Sequence, residues 1–365
     1  MASIHRATIP EEFYDWTSAA LLTQPEPQYV YAEFLLRALG ISLQVPGMVG
    51  MPGREIGGTG PAYDTSDTLM LTPDTISESL VAAKIDFAGQ PGHTVRINRP
   101  KYTDSQYSQD DRRIPAGTTI STTGIAISSE QAALTLDRFG GPHNGTTVAP
   151  YTLERFDSKL GLHDAVSRVS KHMKRDFHKT IDTFVKELLD DASTTQFPRG
   201  MTDANTPTAK AQFKLDYETL SRTSKAMDEA NLPTLGDGKR VLVVTPTGLK
   251  QLKDDPQFAR YANDHESKNP LFNSYRELKF VMPEFYVFAS NTLTKTANTS
   301  GIYIHNAHAI APGVLGVGMG ETPRVANNTN DNYGESVPLI WLAYLALANM
   351  DNRMVVKIGY TEDVS

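Results

Sequence analysis

Two histidines, His305 and His308, stand three residues apart. On a helix that spacing puts both imidazoles on one side, where they can share a metal ion. The chain has no cysteine, and no acidic residue or third histidine is placed nearby in sequence to complete a ligand set. Gly313, Gly316, Gly318 and Gly320 resemble a phosphate cradle. Their spacing departs from the dinucleotide fingerprint, and no helix follows to supply its N-terminus. Asn328 to Glu335 has the look of a calcium loop, but Thr329 would hold the first ligand position and Ile340 the twelfth, so the match fails. The carboxylate pairs Asp110/Asp111, Asp190/Asp191 and Asp254/Asp255 are adjacent and therefore point apart, which suits acid–base work poorly. Neither a Gly-Lys-Ser/Thr phosphate loop nor a Gly-x-Ser-x-Gly elbow is present. These residues point to no active site and to no cofactor or metal.

Charge is arranged more tellingly. Lys171, Lys174, Arg175 and Lys179 form a basic stripe at helical spacing. It reads as a solvated helix face, with contact to an acidic neighbour or to nucleic acid as the alternative. Arg96, Arg99, Lys101, Asp110, Asp111, Arg112 and Arg113 mix both signs within one polar stretch. Such a mixture suits ion pairs between subunits, which fix register more than they add affinity. The whole chain of 365 residues carries a formal net charge of −7, unlike a dedicated nucleic-acid reader, which concentrates basic residues in a domain. Hydrophobic content of 39% and charged content of 21% are ordinary for a folded soluble protein. The longest apolar run, Leu339 to Ala348, is too short for a bilayer, and no signal peptide is apparent at the amino terminus. A soluble protein made in the cytoplasm is the expectation.

The elements that would position these residues follow from periodicity. Leu162 to Ala192 has apolar residues at steps of three and four, from Ala165 through Met173, Phe177, Ile181 and Val185 to Leu189, with no Gly or Pro. This predicts one helix of roughly 45 Å, whose other side carries Lys171, Lys174, Arg175, Lys179, Asp182 and Lys186. Before it, Pro10–Leu22 and Gln28–Leu39 read as short helices, the second with Val30, Phe34, Leu35 and Ala38 on one face. Gly40 to Pro61 is too rich in Gly and Pro for regular structure, yet too apolar for a solvated linker. It reads either as a domain connector or as an extended arm lying on another surface. Thr72 caps a helix that runs to about Asp86, with Pro73 as its first residue. Thr94–Ile97 alternates as a strand; Ile120, Ile125 with Ile127, and Leu134 with Leu136 resume that pattern. Between them Asn98–Thr119 offers little apolar surface beyond Tyr102, Tyr107 and Ile114. That describes a long hairpin projecting from the body, and a two-stranded ribbon needs a surface to rest on; disorder is the competing reading.

After the long helix come a helix over Phe213–Ala230, a short buried strand at Arg240–Thr245, and a helix from Pro246. Another helix opens at Asp255-Pro256 and runs through Tyr261. Strands follow at Tyr286–Ala289 and Ile302–Ile304, making residues 213–311 a small α/β unit. Val337–Leu347 and Met354–Tyr360 close the chain as strands around a turn region at Asn349–Asn352.

This order of parts resembles the major capsid proteins of tailed double-stranded-DNA bacteriophages, the Hong Kong 97-like fold. The local matches are Thr94–Ile97 with Arg99-Pro100 entering the hairpin (the E-loop of that family), Leu160–Ser193 as its spine helix, Arg240–Pro246 with Asp254–Phe258 as the central axial strand and its sequel, and Leu345–Ile358 as the closing strands. The resemblance implies an α+β fold with an N-terminal arm (1–87), an E-loop hairpin region (88–158), a peripheral domain with the spine helix (159–212), an α/β axial domain (213–311), peripheral strands (312–351) and a C-terminal strand returning to the axial domain (352–365). It also implies a homo-oligomer of hexamers and pentamers in an icosahedral shell around double-stranded DNA, located in the virion and assembled in the host cytoplasm. A separate scaffolding protein and a portal protein are the expected partners, with packaged double-stranded DNA contacted non-specifically and no membrane; whether a decoration protein binds outside is left open. An encapsulin-like shell around a cargo enzyme is the alternative, and an α/β enzyme built on 213–311 is a third reading.

Overall fold

A computed structural model of the chain describes residues 18, 21–22, 28–39, 73–84, 94–100, 129–141, 143–144, 147–256, 278–327 and 336–362. The sequence readings on the Gly/Pro-rich arm, the hairpin tip, the helix through Tyr261 and the calcium-like loop lie outside these residues, as does most of Pro10–Leu22. In chain order the elements are α1 (Val30–Ala38), α2 (Pro73–Leu80), β1 (Val81–Lys84), β2 (Thr94–Pro100), β3 (Ser129–Gly140), β4 (His143–Asn144), β5 (Thr147–Val148), β6 (Tyr151–Glu154) and α3 (Arg155–Asp190). Then follow β7 (Thr194–Gln196), α4 (Tyr217–Glu229), β8 (Arg240–Val244), α5 (Pro246–Asp254), β9 (Leu278–Val281), β10 (Phe285–Ala289), β11 (Lys295–Ala297), β12 (Tyr303–Ile310), β13 (Leu315–Asn327), β14 (Ser336–Asn349) and β15 (Val355–Thr361).

The strands form two main sheets, making the fold α+β. One has the order β1-β13-β14-β3-β2, with β6 pairing the early part of β14. The other runs β7-β15-β12-β8-β10-β9, with β11 on β12. In the second, β8 is buried at every position, as a solid run of Val and Leu requires when both sheet faces are covered. It lies parallel to β10 and antiparallel to β12. Its helices have well-made starts. Asp216 accepts from the Thr219 amide at the head of α4, and Thr245 accepts from the Gly248 amide at the head of α5, with Pro246 in the first turn.

The long helix is longer than its period suggested. α3 has 36 residues, about 54 Å at the usual rise, because it begins at Arg155 and carries Gly161 inside it. Met173, Phe177, Ile181, Val185 and Leu189 are all buried. One other reading needs correction. The helix opened by Pro73 stops at Leu80, and Val81–Lys84 becomes β1, whose backbone pairs in parallel with Leu315–Gly318. A partner strand decides what local propensity leaves open. β14 and β15 follow one another in sequence but lie in different sheets, so the turn region between them links the two sheets.

α1 is the keystone of the packing. Its sequence suggested one apolar face, yet every residue from Val30 to Ala38 is buried, including Glu33 and Arg37, which neutralise each other at 2.8 Å. Leu35 and Leu36 face Phe177 and Ile181 of α3 and Val317 and Leu345 of the first sheet across a gap of only about 10 Å³. On the second sheet, Phe34 meets Phe288 edge-on with ring centroids 5.1 Å apart. Such pairs add about 1 kcal/mol beyond the area they bury.

Candidate functional site

Of the residues with mixed charge, Arg96 and Arg99 lie on β2, an outermost strand of the first sheet. In the antiparallel register Arg96 stands opposite Ala133 and Arg99 opposite Glu130. Lys101, Asp110, Asp111, Arg112 and Arg113 lie outside the described residues. The flanks of the polar stretch are therefore paired strands, Thr94–Pro100 against Ser129–Thr135.

The histidine pair does not do what a helical spacing would allow. His305 and His308 lie on β12, where residues three apart point to opposite faces. His305 stacks on Tyr360 at 5.8 Å, and burial lowers its pKa. His308 is fully buried on the other face. Its Nδ1 is 2.7 Å from the Tyr31 hydroxyl of α1, and its Nε2 is 3.1 Å from Asp190 Oδ1 at the end of α3. Burial pushes Asp190 upward, but His308 and the Thr294 hydroxyl outweigh it and hold the carboxyl below its usual range. An ionised Asp190 can only accept, which makes Nε2 the donor and leaves Nδ1 to accept from the tyrosine. Tyr–His–Asp order has the form of a proton relay, but Tyr31 and His308 are fully buried and the Asp190 side chain is 21% exposed. It ties α1, β12 and α3 into one joint.

Asp182 completes that joint, and the sequence placed it wrongly, on the polar side of the helix. It is buried, and its Oδ1 accepts from the backbone amides of Tyr31 at 2.9 Å and Ala32 at 3.3 Å. Tyr29, at the start of α1, offers no side-chain cap. The orphan donors of the first turn are satisfied instead by a carboxylate from another helix. The Thr292 hydroxyl donates to its other oxygen. Burial raises the Asp182 pKa to about 7 despite these bonds. Ser290, Thr292 and Thr294 reach in turn to the Gln28 carbonyl, Asp182 and Asp190. Alternate hydroxyls after a buried strand are the one sequence signal that could have located this joint.

The glycine series is not a phosphate cradle. Gly316, Gly318 and Gly320 belong to β13, whose backbone is committed to β1 and β14. At Gly320 a Cβ would come within 2.9 Å of Leu136, so the missing side chain makes room for β3. The adjacent aspartates do diverge: Asp190 turns into the joint while Asp191 is exposed. Among the described residues no group of three His, Cys, Asp or Glu side chains could hold a metal, and no helix is long and apolar enough to cross a membrane.

What remains on the surface is a cationic face of α3. Arg168, Lys171, His172, Arg175 and Lys179 are exposed there. Beside them a cleft of about 500 Å³ is lined by Tyr29, His172, Arg175, Lys179, Asn291 and Thr292 among others. An exposed charged face, buried polar joints and paired strands flanking a polar stretch of sequence are features of a part that fits against other parts.

Comparison with known proteins agrees. The chain matches the family described as "Phage capsid protein" over residues 146–358, more than half its length. Comparison with curated protein sequences gives no match. Among solved structures, the fold is similar to the capsid of Ralstonia phage GP4, with a TM-score of 0.55 and 12% identity over 88% of this chain and 99% of that one. It is also similar to the capsid of cyanophage P-SCSP1u (0.54, 15%, over 84% and 94%) and to the cyanophage Pam1 capsid asymmetric unit (0.55, 9%, over 87% and 100%). The chain belongs to the phage capsid protein family, as a bacteriophage major capsid protein whose work is structural and not catalytic.

Proposed function

We propose that this chain builds an icosahedral head of hexamers and pentamers around double-stranded DNA, in the Hong Kong 97-like manner. In this reading residues 1–87 are the N-terminal arm, 88–158 the E-loop region, 159–212 the peripheral domain with α3 as its spine, 213–311 the axial domain, 312–351 peripheral strands and 352–365 the returning strand. Arg96, Arg99, Lys101, Asp110, Asp111, Arg112 and Arg113 are its assembly contacts. The head is assembled in the host cytoplasm with a separate scaffolding protein and closes on a portal.

The observation that carries this reading is the β2–β3 ribbon. Thr94–Pro100 pairs with Ser129–Thr135, and among the described side chains of the ribbon Leu134 is buried against Ala346, with Leu136 and Ala348 packed beside it. A two-stranded ribbon gains stability by lying on a neighbouring subunit. Deletion of residues 102–114 tests this. The variant is expected to keep the cooperative unfolding of the seven-stranded sheet and to form no closed particles in electron micrographs. Normal particles from it would overturn the proposal.

A further inference from the structure

Between Arg168 and Lys186 every fully exposed charged residue of α3 is cationic. The two carboxylates in that span are both occupied: Asp176 accepts from the Trp341 indole at 2.8 Å, and Asp182 is buried in the joint. Arg168, His172, Arg175 and Lys179 follow one another at steps of four, three and four. At 100° per residue they fall within about 60° of one another, opposite the buried Met173, Phe177 and Ile181, along a line of about 16 Å. Lys171 flanks that line. This concentration stands out in a chain whose net charge is −7.

We infer that this face of α3, with the cleft beside it, is a docking surface for the phosphate backbone of nucleic acid. The inference rests on the proposed shell around double-stranded DNA. An acidic protein segment is the other polyanion to weigh. Protein interfaces centre on apolar or aromatic anchors in desolvated pockets. The cleft is lined by Tyr29, Tyr151 and Asp176 as well as by Asn291 and Thr292, but Tyr29 is buried and accepts from Arg175, and the large hydrophobic side chain exposed among the described residues, Tyr303, lies on another element, β12. A row of exposed cations is what backbone phosphates require, without base contacts. Binding here is sequence-independent and salt-sensitive.

The test uses the full-length protein, a labelled 30-base-pair duplex and, separately, poly-glutamate. Each phosphate contact contributes a slope of about 0.9 in the logarithm of affinity against the logarithm of salt. Between 50 and 200 mM salt the triple variant Lys171→Gln/Arg175→Gln/Lys179→Gln is therefore expected to lose about 40-fold less affinity than the wild type. Lys179→Arg, which keeps the charge, should retain the wild-type slope. An unchanged slope in the triple variant, with its unfolding transition intact, overturns the inference. Poly-glutamate binding that the variant loses while its DNA slope stays put also overturns it and assigns the face to an acidic protein segment. Micrographs of the same samples read particle formation separately. Absence of particles from the wild type would count against the shell without altering the salt slope.

Discussion

The joint around α1 and the ribbon of β2 and β3 belong to the same molecule but settle their stability differently. At the joint, apolar side chains from α1, α3 and both sheets fill one continuous core, and the α1 amides, Asp182 and His308 each meet a partner from a distant element. Among the described side chains of β3, by contrast, Ala133, Thr135, Asp137 and Arg138 are exposed, Leu134 is fully buried, and Phe139 meets Phe184 edge-on at 5.3 Å. One region is finished within the subunit. The other presents an exposed flank beside its ladder of backbone hydrogen bonds, which suits an element completed by another chain.

The contrast can be broken or sharpened by substitution. The largest effect is expected at Trp341, which packs edge-on against Phe177 at 5.2 Å and donates to Asp176. Trp341→Ala should cost about 3–5 kcal/mol, read as a lower midpoint in denaturant for the whole body. Leu134→Ala should cost about 2–3 kcal/mol locally. Amide exchange should then accelerate in β2 and β3 while β8, β10 and β12 stay protected. Equal acceleration everywhere would erase the distinction between the two regions.

A pH series probes the joint side alone. His178 is buried, donates through Nε2 to the Leu21 carbonyl, and has its pKa lowered to about 3 by burial and by Lys174. Its stabilisation is complete above the unfolded value near 6.5 and drains away as pH falls toward 3, by about 2 kcal/mol at pH 5. Asp182 has the opposite sign. Its raised pKa makes the folded state hold the proton more tightly, so its contribution is largest below about 4 and falls as pH rises through 7. Unfolding free energies of His178→Gln should lose the acid-side decline, and those of Asp182→Asn the decline toward neutral pH; a variant with the wild-type profile would contradict its assignment. The smallest change is expected from Lys225→Ala, which removes an exposed pair with Glu229 on α4. It should shift stability by no more than about 0.5 kcal/mol by the same denaturant measurement.

How much of this could be read in advance depended on range. α3 and β8 were legible because their patterns are long or unbroken, and burial of one stripe or of a whole run leaves a periodic trace. The end of α2 was not, since Val81–Lys84 becomes a strand only through β13, far along the chain. Asp182 was misplaced for a related reason. Its helical position borders the apolar stripe, and what draws it inward is a pair of backbone amides 150 residues away, which carry no residue-type signature. The histidines were misjudged because a spacing of three means one face on a helix and two faces on a strand.

The cap that α3 lends to α1 has a bearing on how the polypeptide is made. Tyr31 leaves the ribosome early, but Asp182 follows 151 residues later and His308 277 residues later. Until then the first turn of α1 has bare amides, and Val30, Tyr31, Phe34, Leu35 and Leu36 lie uncovered, a sticky and unsupported piece of nascent chain. Its settling is therefore among the last events of maturation on or off the ribosome, and a helper that shields hydrophobic peptide would find its target there.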